Sequence, residues 1–263
     1  MQENTDKIKK KQPLLAVKDL KVNYGTFEAV RGVSFSVVAG EIFGLLGPNG
    51  AGKTTTLSAI EDLVKPASGS ITVLGETVDD KPSIKAQMGV QLQSTSFQPE
   101  LTVQEIIQLY SGLYGKELSM EDIRGALRSI ELEDQAQKHL SELSGGQQQR
   151  VSLLITTLHD PAVVLLDEPT TGLDPQSRRQ LWKKVEDLRD KGRGIVLTTH
   201  SMEEAQAVCD RIAIIDHGQT IASGTPTELI AEYSHDPRVK EVAHGNITLE
   251  DVFIGLTGSA IRE

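Results

Sequence analysis

The chain has 263 residues, a single cysteine, and 27 Lys and Arg against 37 Asp and Glu, for a formal charge of −10. That length buries a full core, the lone Cys209 excludes an internal disulfide framework, and the acidic balance excludes a general nucleic-acid-binding surface, because a polyanion is repelled. No run approaches the roughly 18 uninterrupted apolar residues of a membrane span, and the first residues lack the apolar middle of a signal peptide, so a soluble chain is expected.

Residues 1–13 read as a polar leader in which Lys7, Lys9, Lys10 and Lys11 form a solvated charge run. β-rich runs follow at 14–22, 33–38, 42–46 and 69–74, punctuated by Gly25, Gly32, Gly40 and Gly75, and they predict strands. Between the last two lies GPNGAGKT at 47–54, with an apolar strand before it and a helical pattern at 55–64 after it. Strand, glycine loop and helix in that order make a phosphate-binding loop. Gly47, Gly50 and Gly52 let backbone amides of the loop, which also contains Pro48, Asn49 and Ala51, curl around a phosphate, and Lys53 adds a point charge. Thr54 offers a hydroxyl to Mg²⁺, and Thr55 completes the set.

From Thr102 the apolar period becomes helical: Thr102 with Glu105, and Ser119 with Asp122, make capping-box patterns. The segment at about 94–159 is therefore expected to be a helical lobe inserted in an α/β domain. Near its end stands LSGGQQQR at 143–150. Ser144, Gly145, Gly146 and Gln147 open a helix with a hydroxyl and close backbone approach, a second phosphate-binding device in one chain. One nucleotide does not need both.

VVLLDEP at 163–169 ends a buried strand in two carboxylates, which are costly there unless they meet a metal, a water or a cation. Asp167 suits a Mg²⁺ shell, and Glu168, on the opposite side of an extended chain, suits activation of the attacking water. Asp174 caps a helix that begins at Pro175. Strands are expected at 195–199 and 212–216. His200 follows the first of these, at the strand end where ligands of open α/β sheets collect, and reads as a γ-phosphate contact. Cys209 falls in the apolar pattern Ala205, Val208, Cys209, Ile212 and reads as core; His139, His159, His217, His235 and His244 read as surface or turn residues. Capping boxes at Thr225 with Glu228 and at Thr248 with Asp251 open the helices of a C-terminal appendage, 225–263.

With these motifs in this order, residues 14–224 resemble the ATP-binding-cassette ATPases, whose own signature is LSGGQ. The resemblance implies an α/β P-loop NTPase (RecA-like) core with an antiparallel β subdomain and an inserted helical subdomain. It implies ATP and Mg²⁺ as ligands and ATP hydrolysis as the activity. Tyr24 looks like the aromatic that stacks on adenine, with Phe27 as a near competitor and a place in the core as the alternative for either ring. Gln93 in MGVQLQ looks like the family's Q-loop glutamine, a ligand of the metal, with Gln91 as a near competitor on the same face of any strand running through both. GLD at 172–174 looks like the family's dimer-facing loop.

In that family two cassettes pack head to tail, so Ser144 and Gly146 would serve a partner's nucleotide. The implied partners are a second cassette chain, expected as an ATP-dependent homodimer, and an integral membrane transporter subunit; no nucleic acid is expected. The implied location is cytoplasmic, on the inner face of the cell membrane through that subunit. Within the family the chain is most similar to the nucleotide-binding subunits of two-component exporters of drugs, antibiotics or related amphiphiles, for which a tail like TLEDVFIGLTG is typical. The same tail reads equally well as a helix covering an apolar patch. A cassette ATPase acting on nucleic acid or the ribosome is the alternative, disfavoured because no heptad run or cysteine pair separates Lys53 from Ser144.

Overall fold

The computed structural model describes residues 12–79, 81–91 and 97–258. Two sheets and a helical lobe carry the site. β1 (Leu15–Tyr24) and β2 (Phe27–Val37) form a long antiparallel hairpin, and β1 pairs on its other side with β4 (Ser68–Val73), which pairs with the short β5 (Glu76–Thr77). This sheet turns alternate residues inward: Leu15, Val17, Leu20, Val30, Val33 and Val73 are buried.

β3 (Glu41–Leu46) follows the hairpin along the chain and lies inside the second sheet, and α1 (Lys53–Ile60) follows it. The second sheet is completed by β6 (Met88–Gln91) after the one-turn α2 (Pro82–Lys85), by β7 (Val163–Asp167) and β8 (Gly194–Thr199), then by β9 (Arg211–Asp216) and β10 (Gln219–Gly224). Its order is β10-β9-β3-β8-β7-β6, parallel from β9 to β6 with β10 antiparallel at the edge. β3, β7 and β8 are buried at every residue, as strands covered on both faces must be. This is the expected α/β nucleotide-binding architecture.

The helical lobe comprises α3 (Val103–Leu113), α4 (Met120–Ser129) and α5 (Gly145–Thr157) around Val103, Ile106, Ile107, Ile123, Leu127, Val151 and Ile155. Thr102 and Ser119 close the expected capping boxes. α6 (Pro175–Asp190) and α7 (Met202–Val208) cover the opposite face of the second sheet through Leu181, Trp182, Val185, Ala205 and Val208.

Three helices close the described chain: α8 (Pro226–Tyr233), α9 (Pro237–Val242) and α10 (Leu249–Thr257). Leu229, Val239, Leu249, Val252 and Phe253 share one apolar cluster with Ile195 and Ile212 of the sheet. These helices extend the core itself. Phe253 is 2% exposed. A Phe253→Ala chain should lose about 3–5 kcal/mol of stability, read as a lower midpoint in urea unfolding.

Candidate nucleotide and hydrolysis site

The 47–54 loop leaves the end of β3 and enters α1. A Cβ on Gly52 (φ 102) would stand 2.7 Å from the Ala29 carbonyl, so both backbone shape and proximity to β2 demand glycine there. The loop is tied down by Gly218 N donating to Ala51 O at 3.0 Å and Arg31 N donating to Gly218 O at 2.7 Å. Lys53 is buried, and its Nζ donates to the carbonyls of Gly47 (2.7 Å) and Pro48 (3.2 Å). Burial lowers its pKa, against the raising effect of the Glu168 and Asp167 carboxylates.

Across the loop, Thr54 Oγ1 donates to Asp167 Oδ2 at 3.1 Å. A residue that sequence reasoning passed over holds this end of the sheet. Thr198, on β8, donates its hydroxyl to Asp167 Oδ1 and accepts from the Glu168 amide at 2.9 Å. The only advance sign was a pair of threonines ending an otherwise apolar strand.

Glu168 departs from the expected alternation. The strand stops at Asp167, and Glu168 has φ 46, so the chain turns and its carboxylate does not project to the opposite side. Oε1 lies 3.9 Å from Lys53 Nζ and Oε2 lies 3.5 Å from His200 Nδ1, while Thr171 Oγ1 donates to Oε2 at 3.2 Å. Loop lysine, both carboxylates and His200 are thus gathered at one end of the sheet, and His200 is exposed there.

The second device sits at the start of α5. Ser144 is the N-cap and its Oγ accepts from Gln147 N at 3.3 Å, while Gln147 Oε1 accepts from Ser144 N at 2.9 Å. Gly146 abuts α6: a Cβ there would lie 2.2 Å from Ser177 Oγ. Gln149 Nε2 donates to Pro169 O at 2.7 Å, bracing this helix against the segment that follows Glu168.

A family model described as ABC transporter matches residues 30–171. The Nod factor export ATP-binding protein I of Ralstonia nicotianae is 42% identical over 221 residues, covering 83% of this chain and 69% of that protein. The chain belongs to the ABC transporter family. A protein of the same description from a Rhizobium species is 40% identical over 219 residues, covering 81% of this chain and 71% of that one. A solved structure described as an ATP-binding subunit of an ABC transporter superposes with a TM-score of 0.80 at 30% identity, covering 92% of this chain and 99% of that one. As a cassette of this family the chain binds and hydrolyses ATP.

In the cassette Tyr24 and Phe27 face each other across the β1–β2 hairpin end and are 50% and 62% exposed, so neither is core. Phe27 precedes by two residues the Ala29 carbonyl that touches the phosphate loop. Gln93 lies outside the described residues. Gln91 ends β6, 1% exposed, on the face opposite Val90. Asp174 caps α6, accepting from Gln176 N (2.9 Å), Ser177 N (3.0 Å) and Ser177 Oγ (2.6 Å). His159 lies in a turn, as one of the two expected placements has it, and is half-buried there: its Nε2 lies 3.0 Å from Met88 O and its ring stacks on Tyr114. Among the described residues no helix is long and apolar enough to cross a membrane.

Glu61, at the C-cap of α1, has its pKa pushed up to about 7, first by burial and then by the Asp167 charge. A carboxyl raised on folding favours the folded state at low pH and loses that advantage as pH rises through the folded pKa. In nucleotide-free protein, Glu61→Gln should therefore raise Tm at pH 8 and not at pH 4.5. A gain of about 1 kcal/mol would shift it by about 2–4 °C, read by thermal scans at the two pH values.

Proposed function

We propose that this cassette powers export of an amphiphilic solute through a separate membrane-embedded subunit, as one of two chains that close head to tail on ATP. The observation that carries the two-chain reading is the placement of the signature. Ser144 and Gly145 are exposed at the start of α5, and among the described residues no hydrogen bond or ion pair joins 143–147 to the loop at 47–54. The partner is read as a second copy of this chain. Similarity to two proteins described as Nod factor export ATP-binding proteins supports export. With no helix among the described residues long and apolar enough to cross a membrane, the path for the solute is assigned to a separate membrane subunit, which would hold the cassette at the inner face of the membrane.

Thr54 and Asp167, facing each other with hard oxygen donors, fit a Mg²⁺ ion, with Gln93 as a further ligand. When bound, that ion supplies positive charge to the phosphates. Amides of Gly47, Gly50 and Gly52 cradle the phosphates, Lys53 adds its charge, and Tyr24 stacks on the base. Glu168 accepts the proton of the attacking water, held in place by the Thr198 and Thr171 contacts. His200 steers the γ-phosphate from beside Glu168. Ser144, Gly145, Gly146 and Gln147 meet the partner's nucleotide, and Asp174 shapes the loop facing it.

Co-expression with a polytopic membrane protein, sought first in the neighbouring reading frames, tests this reading. The two should co-purify, and candidate amphiphiles should stimulate ATPase activity in reconstituted vesicles. Hydrolysis stimulated by DNA or ribosomes, with no membrane subunit captured, would sink it.

A further inference from the structure

The signature helix is braced on one flank by Gln149 and on the other by a charge junction with no role in nucleotide contact. Glu131 follows α4 at φ 60, in a turn where Glu131 N donates to Arg128 O and Leu132 N donates to Leu127 O. Its two carboxylate oxygens face two different elements. Oε2 lies 3.7 Å from Arg150 Nη1, in the second turn of α5, and Oε1 lies 3.5 Å from Lys184 Nζ, in the middle of α6. Arg150 is 7% exposed, and among the described residues its Nε and Nη1 make no hydrogen bond. A buried guanidinium with so few partners depends on the anion beside it.

Leu153 packs the signature helix against Leu181 and Val185 of α6, but packing between lobe and core is incomplete beside Glu131. A cleft of about 220 Å³, lined by Ile130, Leu153, Thr157, Val164, Lys184 and Leu188, opens between the end of α4, the C-terminal half of the signature helix and α6. Across such a cleft dispersion contacts are fewer, so a charge bridge carries more of the restraint on the helices that flank it. The charge junction bridges the rim of that gap.

We propose that Glu131 is a positioning residue for ATP hydrolysis, holding the signature helix at one angle to α6 through Arg150 and Lys184 so that Ser144 meets the partner's nucleotide in register. This rests on the reading that the signature serves a second cassette. Arg150 stands six residues after Ser144 on one rigid helix, so a tilt at the junction is carried to the signature. Misplacement by about 1 Å at a composite site costs on the order of 10²-fold in rate.

The test uses the full chain with three readouts: binding of a fluorescent ATP analogue, ATP-dependent dimerisation in a Glu168→Gln background by sedimentation, and turnover at saturating ATP. Glu131→Gln should leave nucleotide affinity within about twofold while weakening dimerisation and lowering kcat by about tenfold or more. Glu131→Asp, which keeps the charge, should recover part of the loss. Lys184→Met, at a site 16% exposed on α6, should weaken dimerisation with little change in Tm. Parental dimerisation and kcat in Glu131→Gln overturn the proposal. If that variant fails to fold, parental dimerisation in Lys184→Met overturns it. If the Glu168→Gln chain itself stays monomeric with ATP, the two-cassette reading fails and this proposal falls with it.

Discussion

Replacing Glu168 with Gln should lower ATP turnover by about 10² to 10⁴-fold, the range for loss of a general base. The neutral amide keeps the shape, so the Thr171 contact and the backbone bond to Thr198 survive. Lys53 loses one of the two carboxylates that raise its pKa but keeps its bonds to Gly47 and Pro48. Nucleotide affinity should consequently hold or increase, because less negative charge faces the γ-phosphate. A protein that binds MgATP but cannot hydrolyse it stays in the closed form, since ATP favours closure by its differential affinity. Light scattering should show a mass shift to the dimer with MgATP and none without. Parental turnover in this variant would remove Glu168 from the role of base.

Ser144→Arg should abolish dimerisation and turnover while leaving ATP binding by the single chain intact. The substitution also removes an N-cap, worth about 1 kcal/mol, so an effect through α5 stability must be separated from one at the partner's nucleotide. Ser144→Asp separates them. Aspartate caps as well as serine and could still accept from Gln147 N, so Tm should hold. Its charge nevertheless repels a phosphate, and dimerisation should fail as fully as with arginine. Dimerisation by the aspartate chain would place the partner's phosphates elsewhere. Loss of nucleotide binding in either variant would place this loop on the chain's own ATP.

Local chemistry made the skeleton of this site legible before the coordinates. Capping boxes need only four consecutive residues, and those at Thr102, Ser119, Thr225 and Thr248 all form. The phosphate loop is likewise local, fixed by glycines between a strand and a helix. What escaped was set at long range or by one dihedral angle. Thr198 joins Asp167 across 31 positions, and a threonine in an apolar strand announces nothing by itself. Glu168 violated alternation because a non-glycine residue at positive φ ends the extended chain, which no side-chain pattern encodes. β10 was missed because it lies at the sheet edge with Ala222 as its one buried residue, leaving no period to read. The turn at His159 is local, but its ring partner Tyr114 and its carbonyl partner Met88 lie in distant segments and leave no local sign.

The contact of Gly146 with Ser177 brings the first turns of α5 and α6 together. Each helix points partial positive charge outward from that end, and two such ends side by side repel. At α6 the Asp174 carboxylate offsets the charge. At α5 no acidic side chain occupies the first turn. The fold thus offsets one of two adjacent dipoles and not the other, so the start of α5 keeps an attraction for anions that the start of α6 has lost.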